Sequence, residues 1–299
     1  MKKILIAVSL MVSTVSAWAL QPFFAADTKL PGGNVKAVMA AAEQKLTGAG
    51  FTVVGHYEPK GITKNATIVV TDAGIVQAAQ AIGGTAVVAI PIRVGVKADG
   101  TVSYANLEYW GRAFMRKDYG KAEAAIKAAS GKLAAAFGSA KPFGGENQKT
   151  EPENLASYQY KWLMPDFDNS NLMEYGSFDE ALKAVRANLG KGVGQTSKIY
   201  ELVYADKKIA VFGVGQNAAD GGDGAWVNKL HDGADSTVCL PWETFIVDGK
   251  VHSFAAEFRI ALCWPTLSMM GAGSFMSIMD QPAKTKSAME DVAGVKKLK

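Results

Sequence analysis

Residues 238–264 read VCLPWETFIVDGKVHSFAAEFRIALCW, and residues 87–115 read VVAIPIRVGVKADGTVSYANLEYWGRAFM. Each is an extended apolar run that meets an Asp-Gly pair and continues into a second alternating run, the signal of a β-hairpin. Setting Thr101 on Lys250 places Val102 on Val251, Glu108 on Glu257 and Tyr109 on Phe258. One strand earlier, Ile90-Pro91 falls on Leu240-Pro241 after a one-residue change in length. A matched proline or glutamate alone could arise by chance. The matched order points to two copies of one unit.

Outward from the hairpins, both halves repeat the same order of elements. In the first, an extended piece at 23–28 precedes a helix at 35–46, with Asn34 as N-cap and Gly48-Ala49-Gly50 as its stop. Strands follow at 51–57 and 66–71, then a short helix at 75–82, the hairpin, and an Ala- and Lys-rich helix at 121–137. The second half gives an extended piece at 158–164, a helix at 178–189, and strands at 199–204 and 209–214. A Gly-rich loop leads to a short helix at 225–230, the hairpin, and helical character over 275–292 that Pro282 must interrupt. Residues 141–154, rich in Gly, Pro, Lys and Glu, read as a linker between units at 20–140 and 155–299. The expected fold class is α+β.

Leu46-Thr47-Gly48-Ala49-Gly50-Phe51 with the extended run after it, and Val238-Cys239-Leu240-Pro241 in the second half, carry a family resemblance. The chain resembles, across both halves, the bacterial family catalogued as domain of unknown function 302. The resemblance implies two tandem copies of a TATA-binding-protein-like unit, an antiparallel sheet with helices packed on one face. Ala89 stands in the first half where Cys239 stands in the second, and Cys239 precedes its proline. What the resemblance implies is a fold; function has to be read from the residues.

Strand alternation assigns faces to the hairpins. In the second, Phe254, Ala256, Phe258, Ile260, Leu262 and Trp264 share a core face, opposite Ser253, Glu257, Arg259 and Cys263. In the first, Ala105, Leu107, Tyr109, Ala113 and Met115 lie opposite Tyr104, Asn106, Glu108, Trp110 and Arg112. A two-residue loop at Asp99-Gly100 and a three-residue loop at 248–250 add Arg93, Cys239 and Glu243 to the polar faces. Two such faces meeting would form a crevice between the repeats. Tyr104, Glu108, Trp110, Arg112, Glu257 and Arg259 are then the candidate ligand-binding residues. Alternatively the faces pair with each other by salt bridges, or lie in water.

The same register sets Cys239 opposite Arg259 and roughly 13 Å from Cys263, beyond the ~7 Å reach of a disulfide unless the chain bends at Pro241. Met269, Met270, Met276 and Met279 crowd the C-terminal segment, with Met289 beyond them. With Cys263 they are soft ligands suited to monovalent copper, although core filling is the commoner use of methionine. Haem would need a His-Met axial pair, since no Cys-x-x-Cys-His occurs and His56, His231 and His252 are scattered. Gly-x-Ser-x-Gly, His-Glu-x-x-His and phosphate-loop patterns are absent from the sequence. Glu108 and Glu257 form the carboxylate pair that could serve as acid and base.

The N-terminus addresses the compartment. Lys2 and Lys3, an uncharged apolar run at 4–15, and Ala17-Trp18-Ala19 predict a cleaved signal peptide at 1–19 and a periplasmic location. The run is too short to span a bilayer, and no later stretch is apolar for long enough. Its removal leaves 30 basic and 28 acidic side chains, a charge of +2, too weak for a nucleic-acid surface. The expectation is a protein that binds a small molecule or another periplasmic protein. A copper or haem accessory role and a paired-carboxylate enzyme are the alternatives.

Overall fold

A computed structural model describes residues 19–138, 140–159, 167, 170–231, 233 and 235–296. All but the last residue of the expected signal peptide, and most of the extended piece expected at 158–164, lie outside the described residues. The first half runs β1 (Phe23–Ala26), α1 (Val35–Gly48), β2 (Thr52–Tyr57), β3 (Asn65–Thr71), α2 (Ala73–Ile82), β4 (Ile92–Lys97), β5 (Val102–Ala105), α3 (Leu107–Met115), α4 (Glu123–Phe137) and β6 (Ala140–Phe143). A short helix, α5 (Pro152–Leu155), follows. The second half runs β7 (Asn171–Glu174), α6 (Phe178–Lys191), β8 (Thr196–Tyr204), β9 (Ile209–Gln216), α7 (Asp223–Val227), β10 (Trp242–Val247), β11 (Lys250–His252), α8 (Ala256–Cys263) and α9 (Gln281–Ala293).

The fold is α+β, with two antiparallel sheets ordered β2-β3-β4-β5-β1-β6 and β8-β9-β10-β11-β7. Apart from β6, the strand order is the same in both. The segment read as a linker supplies α5, and the strand β6 begins just ahead of it and pairs with β1. Local signals account for most element ends. Asn34 caps α1 by accepting from the Ala37 N–H at 2.9 Å, and Ser177 caps α6 by accepting from Glu180 at 3.2 Å. Pro282 falls in the first turn of α9, where its missing N–H costs nothing. The break expected there is the gap between a 3₁₀ turn at Phe275–Ile278 and α9.

Both hairpins form, with loop lengths opposite to those expected. β4 pairs with β5 as Val94↔Tyr104, Gly95↔Ser103 and Val96↔Val102, which leaves a three-residue loop at 98–100. Gly100 closes it at φ 90°, the left-handed residue that three-residue hairpin loops require. β10 pairs with β11 as Ile246↔Val251 and Val247↔Lys250, leaving only Asp248-Gly249, with Asp248 at φ 54°. A one-residue change of register sends a side chain to the other face of a sheet. Tyr104 therefore turns toward the helices, against Phe24 at 5.7 Å and Phe137 at 6.1 Å between ring centroids.

The second strand of each hairpin is also shorter than expected. β5 stops at Ala105, where Asn106 caps α3, and β11 stops at His252 ahead of α8. Nearly every residue of α3 and α8 is buried. α8 is apolar around nearly its whole circumference, so its run cannot be told from a strand by pattern, whereas α3 does carry a helical signal, Glu108 and Arg112 four residues apart on its partly exposed side. Helical geometry also corrects the cysteine reading. Cys263, one turn after Arg259 on α8, reaches the turn at Thr237–Cys239, and Cys239–Cys263 is a disulfide with Cα atoms 6.0 Å apart.

Each sheet carries helices on one face, α1 on the first and α6 and α9 on the second, and turns its other face to the opposite half. The turn at Gly84–Ala89 packs on β9 and β10, and the turn at Thr237–Cys239 packs reciprocally on β3, β4 and β5. Two glycines permit this approach. A Cβ on Gly55 would stand 2.8 Å from the Ile199 carbonyl oxygen, and one on Gly95 would stand 3.0 Å from the Val238 Cβ.

The disulfide closes a 24-residue separation, for which chain entropy gives about 3 kcal/mol. The Cys239→Ser/Cys263→Ser variant is expected to unfold at lower urea concentration by that amount. Dithiothreitol should shift the wild-type chain equally and leave the variant unmoved.

Candidate functional site

The inward sheet faces meet in a layer of buried charge. Arg93 on β4 forms an ion pair with Glu243 on β10, and Arg259 on α8 donates to the same carboxylate at 3.1 Å. All three are 2–3% exposed. Arg259 also donates to the Cys239 carbonyl at 3.2 Å, lies 5.0 Å from the Trp110 ring centroid, and stands 3.5 Å from Cys263 Sγ. Burial, helped by the like charge of Arg259, lowers the Arg93 guanidinium to about 9, and burial lowers Arg259 to about 10. Both remain charged at neutral pH. Burial pushes the neighbouring Tyr200 hydroxyl up to about 12, and it has no hydrogen-bond partner.

A second polar knot centres on Asp223, at the start of α7. Its carboxylate accepts from Tyr57 Oη at 2.5 Å, from Gln216 N and Nε2 at 3.0 Å, from Trp242 Nε1 at 2.9 Å and from Trp226 Nε1 at 3.3 Å. Burial raises the Asp223 pKa while these donors oppose the rise. The Tyr57 hydroxyl is raised far above its usual range by burial and by the adjacent Asp223 charge, so it stays a donor. A carboxylate saturated with donors holds two halves together and has no lone pair left for acid–base work. The sequence reading passed over Asp223; its one signal was an acidic residue inside Gly221-Gly222-Asp223-Gly224.

The space beside Arg93 amounts to about 20 Å³, room for about one water. Of the six expected ligand-binding residues, the structure brings only Trp110 and Arg259 together across the two halves. Glu108 is paired with Arg112 at 2.8 Å along α3, with the Arg112 guanidinium 4.3 Å from the Tyr119 ring centroid. Tyr104 is on the helix side of its sheet. Glu257 lines a separate cavity of about 590 Å³ within the second half, beside Lys286 and Glu290 of α9. Arg93, Cys239 and Glu243, placed on the polar faces by sequence, do meet there. Among the expected soft ligands, Cys263 is buried in the disulfide, while Met269, Met270, Met276 and Met279 are exposed.

A different cavity lies at the boundary of the halves, about 590 Å³ in volume. One wall is Phe143, Gly144 and Gly145, at the end of β6; the other comes from His231, Asp235 and Ser236 and from the loop after α8. Lys97 of β4 pairs with Asp235 on the second wall. Gly145, at φ 87°, packs so closely on Thr266 that a Cβ there would lie 2.2 Å from its Oγ1. His231 is held against Gly273, whose carbonyl accepts from the His231 N–H at 3.3 Å. Trp264 lines the cavity at 7% exposure, and its indole N–H has no partner. The sequence reading missed this place because its walls are loops, which carry no hydrophobic period.

Comparison with family models, with curated proteins and with solved structures gives no match. Among the described residues, no helix is long and apolar enough to cross a membrane, and no group of three or more His, Cys, Asp or Glu side chains is arranged to hold a metal.

Removing Glu243 strands two buried guanidinium groups. Glu243→Gln should cost about 3–5 kcal/mol in urea unfolding, whereas Arg93→Met/Glu243→Leu/Arg259→Met should recover most of that loss. His252 supplies a pH test, since burial against Phe245 lowers its pKa to about 4. The unfolded chain, with a histidine near 6.5, binds the proton first as pH falls. Stability should therefore drop between about pH 6.5 and pH 4, by roughly 1–2 kcal/mol after allowance for partial exposure. His252→Gln should flatten that part of the melting-temperature profile.

Proposed function

We propose that the chain is an exported periplasmic binding protein, built from two tandem TATA-binding-protein-like units, that holds a small polar ligand in the crevice at their boundary without turning it over. The observation that carries this reading is the cavity of about 590 Å³ between Phe143–Gly145 and the loop at 264–273, with His231, Asp235, Ser236 and Thr266 converging on two aromatic rings. That is the size and make-up of a ligand site. The matching strand order supports the duplication, and the charged, apolar and Ala-x-Ala pattern of the first 19 residues supports export. A binding role rather than turnover is favoured by the carboxylates. Glu108 is committed to Arg112, Asp223 to its donors, and Glu257 faces the other cavity.

The test is native mass spectrometry of protein released gently from the periplasm, followed by melting-temperature screening of polar metabolites. A bound species of small mass, or one that raises the melting temperature, is expected. His231→Ala and Ala272→Trp should weaken that species by roughly tenfold with the apo melting temperature unchanged. Absence of the mature chain from the periplasm would overturn the location, and unaltered binding by both variants would overturn the site.

A further inference from the structure

Among the described methionines, Met39 and Met173 are half-buried, and the others are either buried or exposed. Met115 and Met289 are 3% and 1% exposed, as core residues should be. Met269, Met270, Met276 and Met279 are 43%, 78%, 51% and 62% exposed, and they are the only large apolar side chains exposed among the described residues. All four fall in the excursion between α8 and α9. An ordinary docking patch would mix aromatic and aliphatic side chains, with methionine as one contributor. Here the shared property is the thioether sulfur.

The excursion is pinned. The Phe275 N–H donates to the Ser268 carbonyl at 2.8 Å, and the Met276 N–H donates to the Met269 carbonyl at 3.2 Å, which sets Met269 beside Met276. The 3₁₀ turn at Phe275–Ile278 then brings Met279 onto the same side as Met276, three residues on. Ser268 Oγ donates to the Met270 carbonyl at 2.6 Å and accepts from the Met270 N–H at 3.2 Å. Ser274 Oγ donates to the Gly271 carbonyl at 2.6 Å, and Gly273 packs against His231. Three rotatable bonds let each thioether converge from such a frame.

We infer that this loop is a binding site for a soft monovalent cation, Cu(I) or its analogue Ag(I), held by the sulfurs of Met269, Met276 and Met279 with Met270 at the rim. Thioethers are neutral and polarizable, so they select a soft, singly charged ion over Zn²⁺ or Mg²⁺. Cys263 has no part in the site, because its sulfur is in the disulfide. The site is distinct from the crevice, although the loop at 264–273 borders both.

The test is anaerobic competition of the full chain with bicinchoninate for Cu(I), with Ag(I) titration followed by methionine methyl NMR. One equivalent of Cu(I) should leave the chelator, and the methyl signals of Met269, Met276 and Met279 should move with Ag(I) while that of Met289 stays. Met276→Leu and Met279→Leu should each weaken binding at least about tenfold without changing the melting temperature, and Met289→Leu should leave binding intact. Failure to compete with the chelator, full binding by the Met276→Leu/Met279→Leu chain, or equal uptake of Zn²⁺ at the same methyl groups would overturn the inference.

Discussion

A carboxylate taken out of water is costly unless positive charge meets it, and two guanidinium groups taken out together are costlier still. Glu243 resolves both demands at once by standing between Arg93 and Arg259. Arg93 belongs to the first half, whereas Glu243 and Arg259 belong to the second. The second half can pair Arg259 with its own Glu243, but the first half buries Arg93 against a carboxylate that only the second half supplies. The ion-pair layer therefore fixes how the two sheets face each other. Arg259 extends the constraint: it reaches the Cys239 carbonyl, lies over Trp110, and stands against the disulfide sulfurs. The turn, α8 and the first half's α3 are thereby tied to one guanidinium.

Asp223 repeats the arrangement elsewhere in the interface, taking Tyr57 from the first half together with donors from the second. Between the two knots the backbones come close because Gly55 and Gly95 offer no side chain. Such a centre is packed and polar at once, and it leaves no ligand-sized room. Space opens instead at the periphery, where β6 ends and the long loop after α8 passes over it. Binding residues carried on loops by a rigid scaffold are a common division of labour.

That loop separates two kinds of chemistry. Its start, Trp264 to Ser268, faces the crevice with an indole and hydroxyl groups. Its later part holds four thioethers in solvent. The chain thus keeps its two cysteines oxidised and buried while it displays methionine sulfur outside. The polar ligand and the soft cation proposed for this loop make no common demand on a site, and its two parts are separate in sequence.

Much of the fold was legible in the sequence. Asn34 capping, the stop at Gly48–Gly50, the Asp-Gly turns and the Pro282 break are local rules, satisfied by neighbours a few residues away. Arg93 and Glu243 do lie at the meeting faces, although the loop lengths from which the sequence placed them are reversed in the structure. Alternation failed from Asn106 and from Ser253 onward, because α8 is buried on nearly every side and the Glu108/Arg112 spacing that marks α3 as a helix fits strand alternation equally well. Glu108, Arg112 and Glu257 left the interface for that reason, and Tyr104 left it through a one-residue shift in the turn. The sequence by itself determined most of the elements and their order, α3, α8, β6 and α5 excepted, and the charges that have to be neutralised. Only the tertiary structure decided which charges meet, that Cys239 reaches Cys263, and where space remains, because these depend on contacts between residues far apart in the chain.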